Sequence, residues 1–292
     1  MEKSFLLRLI EYINERFPIF PAILFSLLFS SSGVLYTAKS FQLFTVIAFS
    51  TVIFLFLFRI RLFDEIKDYK FDSIHYSHRP VQRGLISLKE IKLLISIIII
   101  LEIILQIFLG KLALTIYLFL FFYHFLMYKN FFINKFEKKS FFLYILSHQL
   151  IFLFYAYYII SLTKKILYIP SFNDTGIFLA LFLPAYIYEI GRKCKHRISD
   201  EGKFSDDTYI YRWGENYSFF FLVFLLIMQS LSIFLIFKKL GTLSVIHLVL
   251  ILLLIPAFYI NKNIILKHSD KWSVVMGISG LIIINIYLIL WS

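Results

Sequence analysis

The chain has 292 residues, 60% of them hydrophobic and 20% aromatic, with 36 Phe and 19 Tyr. That is more apolar surface than a water-soluble domain can bury, so the surplus must face lipid and an ordinary soluble protein is excluded. The net charge of +12 does not point to nucleic acid, because the Lys and Arg stand at the ends of apolar runs, where they set topology and meet anionic headgroups; membrane lipids are the expected partner.

Nine apolar stretches bounded by charge or turn residues read as membrane spans, at about 16 to 38, 41 to 62, 89 to 109, 112 to 128, 140 to 162, 174 to 192, 217 to 238, 243 to 261 and 271 to 291. The expected fold class is therefore all-α, a polytopic membrane protein of nine transmembrane helices joined by cytoplasmic cap connections, with residues 1 to 292 forming a single domain. The first run, beginning near Phe17, is expected to stay in the mature protein, because Glu11 and Glu15 precede it and no small-residue cleavage site follows. The fourth span is short and carries His124, and the sixth contains Pro184 and ends in Glu189. A lone Cys194 rules out an internal disulfide and any cysteine-based zinc site. Assigning the 30 Lys and Arg to alternate sides puts 24 with the amino-terminal tail and the connections after the even-numbered spans, and 6 on the other side. Positive charge stays inside, so the expectation is an integral multi-pass protein of a bacterial inner membrane, amino terminus cytoplasmic and carboxyl terminus outside.

Half of the 18 acidic residues fall in two cytoplasmic connections: Asp64, Glu65, Asp68 and Asp72 after the second span, and Glu189, Asp200, Glu201, Asp206 and Asp207 after the sixth. Asp64, Asp68 and Asp72 recur every four residues, so a helix continuing past Phe63 lines them along one face, a turn apart. Carboxylates stacked in this way repel one another, and Arg61, Lys67 and Lys70 relieve this only from neighbouring faces. Magnesium, which is typically held by one or two carboxylates together with substrate phosphates, removes the conflict; the competing reading is a solvated acidic helix end paired with local Lys. Next comes Ser77-His78-Arg79-Pro80-Val81-Gln82-Arg83-Gly84, with two Arg four apart around a Pro-imposed turn, a residue type suited to bidentate phosphate contact. Glu189 ends an apolar span, where an unpaired carboxylate is costly and usually has a partner or a task. Asp200 through Asp207 read equally well as a wet loop.

Polar residues inside spans carry two readings each. His148, in Ser147-His148-Gln149, lies deep enough to face a pocket floor and contact an acceptor, or to serve as a hydrogen-bonded helix contact. Glu102 and Gln106, four apart in the third span, are expected to bond between helices, and His75 and His78 to make turn or headgroup contacts rather than bind metal.

In this order the residues resemble the UbiA superfamily of intramembrane prenyltransferases. That family's first motif reads Asn-Asp-x-x-Asp-x-x-x-Asp followed by an Arg-Pro turn, and Asp64-Glu65-x-x-Asp68-x-x-x-Asp72 followed by Arg79-Pro80 is similar to it, with Asp for Asn and Glu for Asp. The second motif, usually Asp-x-x-x-Asp, is met by Glu189 and departs at Lys193, which leaves Asp200, Glu201 or Asp207 to supply the missing carboxylate. The run from Asp207 to Gly214 looks like the family's approach to the seventh span, and the family's lysine near its fifth helical element has candidates in Lys129, Lys135, Lys138 and Lys139, of which Lys129 follows its span most directly.

The resemblance implies a reaction and its cofactor. Mg2+ would be held by Asp64, Asp68 and Asp72 with Glu65 beside them, and a second ion by Glu189 with Asp200 or Glu201; Arg79, Arg83, Lys129, Arg192 and Lys193 would take the diphosphate, and His148 the acceptor. The expected function is magnesium-dependent transfer of a prenyl group from a polyprenyl diphosphate to a hydrophobic, lipid-accessible acceptor. The alternative within the family is a terpene cyclase that needs no external acceptor. A cation transporter is disfavoured, because the acids gather at one membrane face and no pair of Gly- or Pro-broken helices marks a midplane site.

Overall fold

The computed structural model describes residues 3–133, 135–136, 140–205, 208–237 and 260–291, which are helical wherever they are regular, with no strand among them beyond an isolated Ile198–Phe204 bridge. The stretch taken from sequence as a tail is instead an amphipathic helix, α1 (Phe5–Arg16), with Leu6, Leu7 and Ile10 exposed on one side and Tyr12 buried on the other. Its basic and acidic residues bind it to the rim of the bundle: Arg8 pairs with Glu90 at 2.6 Å and Arg16 with Glu65 at 2.8 Å. Pro18 then starts α2 (Ile19–Ala38), which stops at Lys39 in a left-handed cap.

Helix α3 (Leu43–Lys67) has 25 residues, about 37 Å of helix against about 30 Å of hydrocarbon, so its last turns emerge at the rim and carry the first acids with them. A short α4 (Tyr69–His75) follows through Asp68. Ser87 and Glu90 form a capping box that opens α5 (Leu88–Leu109), and Gly110, at φ 102, makes the one-residue turn into α6 (Lys111–Tyr128). The fifth span is broken at Leu150 into α7 (Phe141–Gln149) and α8 (Ile151–Lys164), and the sixth is α9 (Thr175–Lys193), with Pro184 inside it. Helix α10 (Tyr209–Phe237) begins earlier than its apolar run and bends at Gly214, where φ is 77. A short α11 (Lys262–Lys267) leads to α12 (Ser269–Trp291).

Seven described stretches are long and apolar enough to cross a membrane, matching the expected spans one to five, seven and nine; α9 supplies the sixth, and the eighth, at 243 to 261, lies outside the described residues. The helices close into a ring in which α3 packs on α2 and α5, α6 on α5 and α8, and α9 on α8, α10 and α12, with α12 returning to α2. Lipid offers no hydrophobic advantage to helix contact, so polar bonds knit the ring. Ser31 donates to Asn285 at 2.6 Å and Asn285 donates to Ser32 at 2.8 Å, joining α2 to α12; Tyr117 donates to Glu102 at 2.9 Å and Tyr158 to Gln106 at 2.6 Å, the interhelix bonds expected of that pair.

Candidate functional site

The helix does continue past Phe63. Backbone bonds run from Asp68 N to Asp64 O at 2.8 Å and from Asp72 N to Asp68 O at 2.9 Å, so the three aspartates stand a turn apart as their spacing requires. They line one wall of a cavity of about 950 Å³ that also takes in Glu189, Arg192 and Lys193 from α9, so the two acidic connections, far apart in sequence, converge. Deeper in, the walls turn apolar, with Phe25, Leu57, Phe63, Ile151 and Phe152 among the lining.

Within this common wall the acids differ in what neutralises them. Asp72 takes a bond of 2.5 Å from Arg79 and lies 3.8 Å from Arg16. Glu65 points away from the cavity and is fully buried between Arg16 at 2.8 Å and Arg61 at 2.7 Å, with the Tyr12 hydroxyl at 3.5 Å; it is an anchor for α1 rather than an open ligand. Glu189 is gripped by Arg192 at 2.8 Å and Lys193 at 3.5 Å, with the Tyr209 hydroxyl at 3.4 Å. Asp64 and Asp68 alone among these cavity acids have no side-chain hydrogen bond or ion pair among the described residues. Burial, and after it the neighbouring Asp64 carboxylate, pushes the Asp68 carboxyl up to about 6.

Other expected residues sit elsewhere. Asp200 accepts bonds from the Ser77 backbone N–H at 2.6 Å and hydroxyl at 2.7 Å, with His78 at 3.2 Å, and Glu201 faces Lys203 at 3.3 Å; neither lines the cavity, so the second metal site expected from Glu189 with Asp200 or Glu201 is not assembled. Asp206, Asp207, Lys138 and Lys139 lie outside the described residues. Arg83 is drawn off to Glu15 at 2.6 Å and Glu11 at 3.2 Å, away from the cavity wall that Arg79 occupies. Lys129 is exposed above Tyr128, and Lys67 stands in the cavity wall instead. His148 lines the cavity, but Nδ1 faces the Tyr144 carbonyl at 2.7 Å and Nε2 the Met127 carbonyl at 3.2 Å, the helix-contact reading rather than a nitrogen turned to a ligand. Arg16, Arg197 and Arg212 also line the cavity; their only sequence signal is a place among the basic residues expected on the cytoplasmic side, where topology already accounts for them.

Among the described residues no group of three or more acidic, His or Cys side chains is gathered to hold an ion by itself. Asp64 and Asp68, which make no ion pair among the described residues, are nevertheless the number of carboxylates magnesium usually takes when substrate phosphates complete its shell, and Lys67, Arg192 and Lys193 stand in the same wall. The residues fit a metal that arrives with a diphosphate and not one held by protein alone.

The family model of the UbiA prenyltransferase family matches residues 19–288. Among curated protein sequences none matches. Among solved structures, the chain is similar to the apo form of a UbiA homologue from Aeropyrum pernix K1, with a TM-score of 0.61 and 15% identity over 92% of this chain and 97% of that one. It is also similar to a structure concerned with digeranylgeranylglyceryl phosphate synthase in membranes, with a TM-score of 0.50 and 18% identity over 97% of this chain and 96% of that one. At these identities the likeness to the solved structures is one of fold. The match over most of the chain, on a bundle whose acids and bases meet in one cavity, identifies the protein as a member of the UbiA prenyltransferase family, a membrane enzyme of prenyl transfer.

Proposed function

We propose that the enzyme transfers a prenyl group from a polyprenyl diphosphate to a hydrophobic, lipid-accessible acceptor in a magnesium-dependent reaction, at the cytoplasmic rim of one domain spanning residues 1 to 292. The observation that carries this reading is the Asp64 and Asp68 pair, carboxylates in a cavity wall that make no side-chain hydrogen bond or ion pair among the described residues, beside the basic Lys67, Arg192 and Lys193 and above an apolar floor.

In this reading Asp64 and Asp68 would hold Mg2+ when it arrives with the diphosphate. The bound ion would supply positive charge to the departing diphosphate, which leaves with the electron pair of its bond to the allylic carbon. Lys67, Arg192, Lys193 and Arg79 orient and neutralise the same group, and their pairing with Glu189 and Asp72 keeps Arg192, Lys193 and Arg79 extended toward it. The apolar depth of the cavity takes the isoprenoid tail and keeps water from the allylic cation until the acceptor forms its bond to the allylic carbon, and the proton the acceptor then loses passes to the departed diphosphate.

The test is incubation of purified protein with labelled geranylgeranyl diphosphate, magnesium and a membrane lipid extract. A labelled lipid product and free diphosphate should form, both should vanish with a chelator, and Asp68→Asn should slow diphosphate release by about 10²-fold or more. Undiminished release by Asp68→Asn would overturn the reading.

A further inference from the structure

The interior carries one polar network that the diphosphate end of the site does not use. Arg59 of α3 and Glu102 of α5 form an ion pair of 2.7 Å with both side chains fully buried. Tyr117 donates to Glu102, and Nη1 of Arg59 meets Nδ1 of His124 on α6. The Phe56 and Phe121 rings pack 5.7 and 5.2 Å from the guanidinium and hold it in place.

This contact fixes the state of the histidine. A guanidinium has hydrogens to give and no lone pair to offer, so Nδ1 of His124 must be the acceptor. The imidazole is therefore neutral at Nδ1 and carries its proton on Nε2, a tautomer imposed by its neighbour as outer-shell partners impose it on metal-bound histidines. The His124 side chain is only 5% exposed, its ring lines the cavity, and Nε2 has no protein partner among the described residues. Nε2 is not among the sealed polar atoms that lack a partner, so its N–H opens on the cavity and can donate to an acceptor atom that enters it.

The surroundings narrow what can satisfy it. Phe63 meets the His124 ring edge-on at 5.1 Å, and Phe25, Met127 and Phe152 make the neighbouring wall apolar. An isoprenoid tail brings only carbon and hydrogen and has no acceptor atom. The diphosphate belongs at the rim, since Asp64 lies five residues beyond Arg59 on α3, about 7.5 Å further along the helix. What remains is the molecule that must reach the allylic carbon just below the rim to within about 3.5 Å before it attacks.

We propose that His124 donates from Nε2 to a hydroxyl or carbonyl oxygen of the prenyl acceptor and so turns it toward the allylic carbon; this deepens the prenyl-transfer reading and rests on it. His124 binds and orients without acting as the base, because Nε2 already holds a proton and Arg59 occupies Nδ1. Arg59 and Glu102 act through it as positioning residues.

The experiment uses the full chain in detergent micelles and measures binding of hexadecanol and 4-nonylphenol, each against the hydrocarbon that lacks the hydroxyl, hexadecane and nonylbenzene. The unmutated protein should bind at least one hydroxylated probe about tenfold more tightly than its hydrocarbon, the factor that one retained hydrogen bond supplies. His124→Phe keeps an aromatic ring, loses the donor and should abolish that preference. His124→Gln places an amide carbonyl toward Arg59 and an amide N–H where Nε2–H stands, and should restore it to within about threefold. An unmutated protein that does not distinguish the probes, or a His124→Phe variant that still does, overturns the proposal. Diphosphate release reports separately on prenyl transfer: a chain that releases none, yet prefers the hydroxyl through His124, would sink that reading while keeping this binding site.

Discussion

Lys193 lies one helical turn beyond Glu189 on α9, and its ammonium stands 3.5 Å from the Glu189 carboxylate. The position where the family pattern leads one to expect a second metal-binding acid thus holds the first acid's counter-ion, with Arg192 completing the neutralisation at 2.8 Å. A cation approaching Glu189 must displace both. Magnesium should accordingly enter with a single apparent binding event, and diphosphate release should rise hyperbolically with magnesium concentration. Lys193→Asp, which rebuilds an acid a turn from Glu189, should steepen the curve toward a Hill coefficient of about 2, as expected if a second ion site forms. Unchanged curvature in that variant would show that Glu189 stays bound to Arg192 alone.

Asp68 gives a pH dependence of opposite sign for folding and for function. Its carboxyl is raised from the usual carboxylate range to about 6 by burial and by Asp64. Between those values the folded chain holds a proton that the unfolded chain has lost, so this residue's contribution to stability declines as pH rises through the window. Metal capture goes the other way, because the cation competes with that proton. Titration of the protein with magnesium and pyrophosphate should show affinity climbing about tenfold per pH unit up to pH 6 and levelling above it. A flat profile from pH 5 to 6 would remove Asp68 from the ligand set.

Residue spacing made half of this site legible. The four-residue period of Asp64, Asp68 and Asp72 announced both the helix and its shared face, and Glu102 and Gln106 announced contacts with neighbouring helices. Spacing says nothing about what lies across a cavity. Arg79 and Arg83 read alike as phosphate ligands, and only the folding of the amino-terminal segment into α1 separates them, by placing Glu11 and Glu15 against Arg83. Lys129 stands out in sequence over Lys135, Lys138 and Lys139 because it directly follows a span, whereas Lys67, which in sequence offers only partial relief to the acids, is on the last turn of α3, which stays helical beyond the apolar run and carries it into the wall. His124 passed as a polar interruption of a short span, because its meaning depends on Arg59, 65 residues away in sequence.

Asp200 clamps two connections together. It receives the Ser77 hydroxyl and backbone N–H, which hold it below the usual carboxylate range, and its own backbone N–H donates to the His75 carbonyl at 3.0 Å. These bonds tie the connection after α9 to the turn after α4. Asp200→Ala should speed amide hydrogen exchange around residues 76 to 78 and 199 to 205 while leaving the magnesium dependence of diphosphate release where it was. A lower magnesium affinity in this variant would return Asp200 to the metal site.

The Arg59 and Glu102 pair is worth most to the fold when it is intact. Both side chains are fully buried at membrane depth, so removing the acid alone strands a charge that cannot change its protonation. Glu102→Ala should cost about 3–5 kcal/mol, the penalty of breaking a buried pair, and appear as a large fall in the thermal midpoint. Tyr117→Phe removes one hydrogen bond to the same carboxylate and should cost about 1 kcal/mol. Equal losses from the two variants would mean that the ion pair contributes nothing beyond its hydrogen bonds.

The far wall of the cavity depends on how closely α9 approaches α12, and two glycines set that distance. A Cβ on Gly191 would fall 2.2 Å from the Ser273 Cβ, and one on Gly277 would fall 2.9 Å from the Pro184 carbonyl oxygen, contacts that only helix separation can relieve. Pro184, Ser273 and Gly277 all line the cavity, and Gly191 lies between Glu189 and Arg192 in sequence, so separating the helices shifts the groups proposed to meet the diphosphate. Gly191→Ala should therefore destabilise the protein by about 1–3 kcal/mol and raise the KM for prenyl diphosphate. Gly280→Ala on α12 is the control, since its Cβ would meet the end of the flexible Gln229 side chain at 3.3 Å, which can move aside. If Gly191→Ala matched Gly280→Ala in both thermal midpoint and KM, the close crossing of α9 and α12 would not be what shapes the site.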